Sequence, residues 1–188
     1  MAELPTFNIE NLRFLIVDGD ENMRNVVVNI LQTFGVRERF EASNVEEAFK
    51  ILKDYKPDII VCEWELDNIS GVDFTKKIRK GEDYSDPMVA IIFLTAHTYK
   101  WQIENARDAG ITEYLSKPIS ADTLYSRICS VIENPRPFIE GDTFIGPDRR
   151  RQHDPFKVGN ARRESDKSGG EDGDGEISDD EINAMLGM

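Results

Sequence analysis

The stretch Asp58-Ile59-Ile60-Val61-Cys62-Glu63-Trp64, followed closely by Ser70-Gly71, decides the fold. A short apolar run bounded by charge reads as a strand buried on both faces, the kind that parallel sheets are built from. It carries Glu63 to the strand's carboxyl end, where open α/β sheets hold their ligand sites. Three other runs repeat the pattern. Leu12-Arg13-Phe14-Leu15-Ile16-Val17 leads to Asp18 and Asp20, Val89-Ala90-Ile91-Ile92-Phe93-Leu94 to Thr95, and Thr112-Glu113-Tyr114-Leu115-Ser116 to Lys117-Pro118. Set side by side and parallel, these strands bring carboxylates, a hydroxyl and an ammonium to one rim.

Helical spacing fills the gaps between them. Met23, Val26, Val27, Ile30, Leu31 and Phe34 share one face of a helix that Gly35 stops. A polar strand near 38–42 suits a sheet edge. Ser43-Asn44-Val45-Glu46 is a capping-box pattern opening a helix to about Tyr55, and further helices are expected over about 72–80, 98–109 and 121–132. Five β-then-α units with right-handed crossovers give an α/β fold, a doubly wound, five-stranded parallel sheet. A strand-order reversal beside strand one, which creates an acid-lined crevice, makes its expected order 2-1-3-4-5, with two helices on one face and three on the other. The expected organisation is a lead-in over 1–10, one domain over 11–134, a disordered linker over 135–176 after Pro135-Arg136-Pro137, and a short acidic amphipathic helix over 177–188.

The bulk composition narrows the function classes. At 188 residues, 39% of them hydrophobic, the chain has room for one full core plus a tail. A formal net charge of -13 argues against non-specific binding of nucleic acid or acidic membrane by the whole protein. Cys62 and Cys129 fall in an expected strand and helix, so they read as buried thiols rather than a disulfide. No run reaches membrane-span length, and Met1-Ala2-Glu3-Leu4-Pro5 has neither a basic n-region nor an apolar h-region. A soluble cytoplasmic protein without a DNA-binding domain is expected.

Val17-Asp18, Met23-Arg24, Glu63-Trp64, Asn68, Gly71, Thr95-Ala96, Tyr114 and Lys117-Pro118, in this order and spacing, resemble the receiver domain of two-component response regulators, most closely the single-domain CheY type, over roughly 10–133. The resemblance implies a site in which an aspartate after the third strand accepts a phosphoryl group. An acid pair after the first strand holds Mg²⁺, Thr95 binds phosphoryl oxygens and Lys117 pairs with the charge. Two positions depart from that pattern. Glu63 occupies the phosphoacceptor position and Gly19 replaces the second acid, with Asp20 one residue late. Asp18 and Glu63 alone would make a weak Mg²⁺ site. Glu63, longer by a methylene, either places a permanent negative charge where a phosphoryl oxygen would sit or forms an ion pair with Lys117. The implied function is a pseudo-receiver: a non-enzymatic, phosphorylation-independent protein-binding module, with chemotaxis or flagellar motility as its setting.

The resemblance also implies a signalling face on the fourth helix, fifth strand and fifth helix, here Tyr99, Lys100, Trp101, Ile103, Tyr114 and Tyr125. A histidine kinase, a flagellar switch component or the chain's own C-terminal helix would dock there. That last helix has its own signals. Ser178 and Glu181 form a capping box, Ile177 and Ile182 a hydrophobic staple, and Ile182, Met185 and Leu186 one apolar face. The segment resembles the acidic N-terminal peptide of the flagellar switch protein FliM.

Other readings stay open. A conventional receiver in a phosphorelay is one. Arg149, Arg150, Arg151, Arg162 and Arg163 weakly resemble the arginine-rich extensions of CheY-like proteins that bind cyclic di-GMP. Asp18-Gly19-Asp20, Thr95, Lys117 and Gly141-Asp142 resemble the motifs of haloacid-dehalogenase-type phosphatases, with Asp18 as nucleophile. Asp172, Asp174, Gly175, Ile177 and Glu181 match part of a calcium loop, but its first ligand would be Gly170.

Overall fold

The computed structural model describes residues 7–67, 69–81, 86–133, 135–141, 144–148 and 176–186. Strands β1 (Arg13–Val17), β2 (Glu38–Ala42), β3 (Ile59–Cys62), β4 (Ala90–Thr95) and β5 (Glu113–Ser116) form one parallel sheet in the order β2-β1-β3-β4-β5. This is the expected order. Every residue of β3 is buried, as a central strand covered on both faces requires.

Helices α1 (Glu21–Thr33) and α5 (Ala121–Glu133) cover one face, packing Val27, Leu31, Leu124 and Ile128 on Phe14, Ile16, Val61 and Ile92. Helices α2 (Val45–Tyr55), α3 (Gly71–Lys80) and α4 (Lys100–Ala109) cover the other, with Ala48, Leu52, Phe74, Ile78, Ile103 and Ala106 on Leu15, Ile60, Ile91 and Phe93. The caps follow local chemistry. Asn44, one residue later than the expected Ser43, caps α2 by accepting from Glu47 N, while the Glu47 carboxylate reaches back to Ser43 N. Ser70 caps α3, accepting from Asp73 N at 3.1 Å.

Beyond the sheet the chain departs from expectation. Residues 135–176 are expected to be mostly disordered or loosely docked, and within them β6 (Phe138–Gly141) and β7 (Phe144–Pro147) pair antiparallel as a hairpin. Tertiary contacts hold it. The Arg79 guanidinium lies over the Phe138 ring, 5.1 Å from its centroid. Arg79 is buried and donates to the carbonyls of Gly110, Val89 and Pro87 at 2.8, 2.8 and 2.6 Å. Burial pulls its pKa down to about 9, against the opposing charge of Asp86, so it stays cationic at neutral pH. A final helix, α6 (Asp179–Leu186), lies in the expected tail position.

Gly110 closes α4 at φ +96°, and a Cβ there would sit 2.7 Å from the Ile145 carbonyl oxygen of the hairpin. Both the dihedral and the close approach demand glycine. Gly110→Ala is therefore expected to destabilise the protein by about 1–3 kcal/mol in urea unfolding, the scale of a residue forced into the left-handed region.

Candidate functional site

The carboxyl ends of β1, β3, β4 and β5 set Asp18, Glu63, Thr95 and Lys117 on one rim. Lys117 is the centre of the arrangement. Its Nζ donates to Asp18 Oδ2 at 3.0 Å and to Glu63 Oε2. The three side chains are only 10–20% exposed. The remaining oxygens are also engaged: Glu63 Oε1 accepts from Trp64 N at 2.6 Å, and Asp18 Oδ1 accepts from Asp20 N at 2.8 Å. Burial alone would lower the Lys117 pKa. Hydrogen bonds to Glu63 and Asp18, with their charges, outweigh it and hold the ammonium above its ordinary value.

Thr95 is fully buried, and its Oγ1 accepts from His97 N at 3.3 Å. Asp20 turns away from Asp18 to cap α1, accepting from Asn22 N at 2.9 Å. Asp20 is thereby engaged as a cap and does not join Asp18 at the rim, as both a metal pair on the loop after β1 and the dehalogenase-type reading would require. Among the described residues no group of three His, Cys, Asp or Glu is placed to hold a metal. With one ammonium between its two carboxylates and Gly19 contributing no side chain, this donor set does not fit Mg²⁺ as it stands. The position of Gly19 is nonetheless roomy, since a Cβ would meet nothing closer than Asp67 Oδ1 at 3.8 Å. Gly71 is the opposite case: its amide donates to the Trp64 carbonyl at 2.7 Å, and a Cβ would lie 2.3 Å from the Glu63 carbonyl oxygen.

The expected signalling-face residues separate into two groups. Tyr99, Lys100 and Trp101 are exposed at the start of α4. Tyr114 is buried, and its hydroxyl donates to the His97 carbonyl. Burial and, second, the Glu63 charge push its phenol well above the ordinary range. Ile103 is also fully buried, because it shares the inward side of α4 with Ala106. Tyr125 belongs to the other face of the sheet, where it stacks on Phe34 with centroids 4.5 Å apart and accepts from Phe7 N at 3.0 Å. Tyr125 thus belongs to the core on the opposite face of the sheet, whereas Ile103 is buried in the cluster that also holds Ile182 and Leu186 of α6. Arg149, Arg150, Arg151, Arg162, Arg163, Asn68, Asp142, Gly170, Asp172, Asp174 and Gly175 lie outside the described residues.

The sequence reading missed two clusters. His97 links the rim to the face: Gln102 Nε2 lies 3.0 Å from its Nδ1 and Glu65 Oε1 is 3.3 Å from its Nε2, with Trp64 packed edge-on to Trp101. The polar loop directly after Thr95 was the available signal. Glu113, on β5, is buried with Arg127 and Arg136 at 3.9 and 3.6 Å. Desolvation raises its pKa to about 7, opposed by the two arginines. An acid inside a strand pattern was the signal there.

A family profile described as the response regulator receiver domain matches residues 14–129. The chain is 32% identical over 124 residues to chemotaxis protein CheY-3 of Vibrio cholerae, covering 66% of this chain and 94% of that one. It is 28% identical over 122 residues to chemotaxis protein CheY of Pseudomonas aeruginosa, covering 65% and 97%. The structure of CheY4 of Vibrio cholerae superposes with a TM-score of 0.58 at 26% identity, over 64% of this chain and 98% of that one.

Replacing Lys117 with methionine would leave two adjacent carboxylates without their shared cation. The expected loss is about 3 kcal/mol at pH 7, at the low end for a buried pair because the groups keep some solvent. A lysine whose folded pKa is raised contributes fully below its unfolded pKa, so this difference should hold through neutral pH and shrink only above about pH 10.5. Glu113 has the opposite dependence. An acid raised on folding costs stability as pH climbs from its unfolded value to about 7, so the stability of wild type relative to Glu113→Gln should fall by up to about 3 kcal/mol over that window. Urea unfolding of both proteins across pH 4.5 to 8 measures it.

Proposed function

Since the chain belongs to the response regulator receiver family, we propose that it is a pseudo-receiver, signalling by protein contact without accepting a phosphoryl group. The observation that carries this reading is the Lys117 ammonium bridging Asp18 and Glu63. Phosphoryl transfer to a carboxylate needs a free oxygen in line with the donor and a cation to neutralise the developing charge. In this chain the acceptor-position oxygens are taken by Lys117 and the Trp64 amide, and Gly19 withholds a metal ligand. Glu63 thus supplies to Lys117 the negative charge that a phosphoryl group brings in an ordinary receiver.

The fixed placement of Tyr114 supports the same reading. Its hydroxyl is turned inward to the His97 carbonyl, so the aromatic expected to switch with Thr95 is already packed away. The partner surface is then α4, β5 and α5, with Tyr99, Lys100 and Trp101 exposed along it. Similarity to chemotaxis proteins of Vibrio cholerae and Pseudomonas aeruginosa supports chemotaxis as the setting.

Incubation with acetyl phosphate and Mg²⁺ followed by intact mass measurement is expected to leave the wild-type mass unchanged. The double variant Gly19→Asp/Glu63→Asp should gain Mg²⁺-dependent quenching of Trp64 and accept one phosphoryl group, since the space beside Gly19 admits a side chain. A phosphoryl group on the wild type that Glu63→Gln abolishes would instead make this a conventional receiver.

A further inference from the structure

The surface between α4, β5 and α5 is already filled by the chain itself. Glu176 forms an isolated antiparallel bridge with Tyr99, and Ile177 N donates to the Thr98 carbonyl at 3.1 Å. α6 follows, its first turn closed by the Glu181 carboxylate accepting from Ser178 N at 2.9 Å. Ile182 and Leu186, four residues apart on one side of the helix, are 1% and 2% exposed. They join the cluster that contains Ile103, Ala106 and Tyr114. Polar anchors surround this contact. Ser116 Oγ donates to Asp179 Oδ1 at 2.6 Å from β5, Arg127 of α5 donates to Asn183 Oδ1, and Arg136 Nη1 donates to the Leu186 carbonyl at the helix end. Arg127 and Arg136 are themselves drawn in by Glu113.

A helix of eight residues does not hold its shape alone in water. α6 therefore takes its structure from the groove, and the groove without it would expose an apolar surface around Tyr114 and Ile103. We propose that α6 is a built-in occupant of the partner face, so that an outside partner binds only by displacing it. The displacing partner has to bring the same chemistry: a short N-capped acidic helix with two aliphatic side chains four residues apart and a polar side chain between them for Arg127. This inference rests on the reading that the chain meets its partners on the α4, β5 and α5 face.

The test uses the full chain and a fluorescein-labelled peptide of residues 176–188 as probe. A tethered segment acts at roughly millimolar effective concentration, so a peptide contact of about 0.1 mM would keep the face about nine-tenths closed and weaken the free probe about tenfold. Fluorescence anisotropy should show Ile182→Asp/Leu186→Asp binding the probe at least tenfold more tightly than wild type. Those two positions are buried, so Asp179→Lys/Asn183→Lys, which removes anchors at the rim, decides the matter if the first variant does not fold. It too should bind the probe more tightly than wild type. Equal binding by wild type and the folded variants, or binding by none, overturns the closure. Repeating the titration with acetyl phosphate and Mg²⁺ separates the two readings. A phosphorylated wild type that still discriminates against the probe keeps the closure and ends the pseudo-receiver reading. An unmodified wild type that binds the probe as its variants do keeps the pseudo-receiver and ends the closure.

Discussion

A parallel sheet buried on both faces can keep charge only at the strand ends, and that constraint organises this molecule. β1, β3 and β4 are almost wholly apolar until their carboxyl ends, and together with β5, which carries the buried Glu113, they bring Asp18, Glu63, Thr95 and Lys117 to one rim. Two carboxylates brought this close and this far from water require a cation, and Lys117 is the side chain that the fifth strand delivers. The ammonium therefore ties the ends of three strands while neutralising the site. In an ordinary receiver a metal shares that work, and the acceptor carboxylate stays available. Under the pseudo-receiver reading that balance shifts: Gly19 offers no side chain to a metal, and Glu63 reaches Lys117 and the Trp64 amide at once.

The other constraint is the open edge of the sheet. β5 has β4 on one side and, among the described residues, no strand on the other, which leaves its outer edge to be covered by something else. α6 does this with two aliphatic side chains and a ring of polar anchors, and Arg136, at the start of the chain's exit toward the hairpin, joins the end of α6 to Glu113. Burying Glu113 would be costly by itself. Two arginines shared between that carboxylate and the tail make the burial tolerable, and they couple the docking of α6 to a group that desolvation has pushed toward neutral pH.

Much of this was legible in the residues. Four of the five strands and the four rim side chains follow from apolar runs that each end on a functional group, a pattern set by local burial and therefore readable locally, while the polar β2 was legible only as an edge strand. The capping box of Ser178 and Glu181 likewise marked α6. What escaped depends on distant partners. Phe138 and Ile145 look like residues of a linker until Arg79 and Gly110, far back in the chain, provide a guanidinium and a bare Cα to pack against. Tyr125 is expected on the signalling face, but helical spacing alone does not reveal which side of α5 meets the sheet, and its ring stacks on Phe34 in the core of the opposite face. Ile103, expected on the same face, is buried beside Ile182 and Leu186 of α6.

A run of contacts links the rim to the face that α6 covers. Tyr114 lies under α6 with its hydroxyl on the His97 carbonyl, and the His97 amide donates to Thr95 Oγ1 at the rim. The same histidine ring meets Gln102 of α4 and Glu65 of the loop after β3, while Trp64 packs between Phe93 and Trp101. The links combine hydrogen bonds through the backbone and ring of His97 with the packing of Trp64 on its two aromatic neighbours. A receiver that is switched by phosphate uses such a chain to move an aromatic between two positions. Here the charge at one end is a permanent part of the sequence and the surface at the other end is covered by the chain's own helix. On the pseudo-receiver reading proposed above, the element that would exchange is the cover, and control would pass from the chemistry of the rim to competition for the groove.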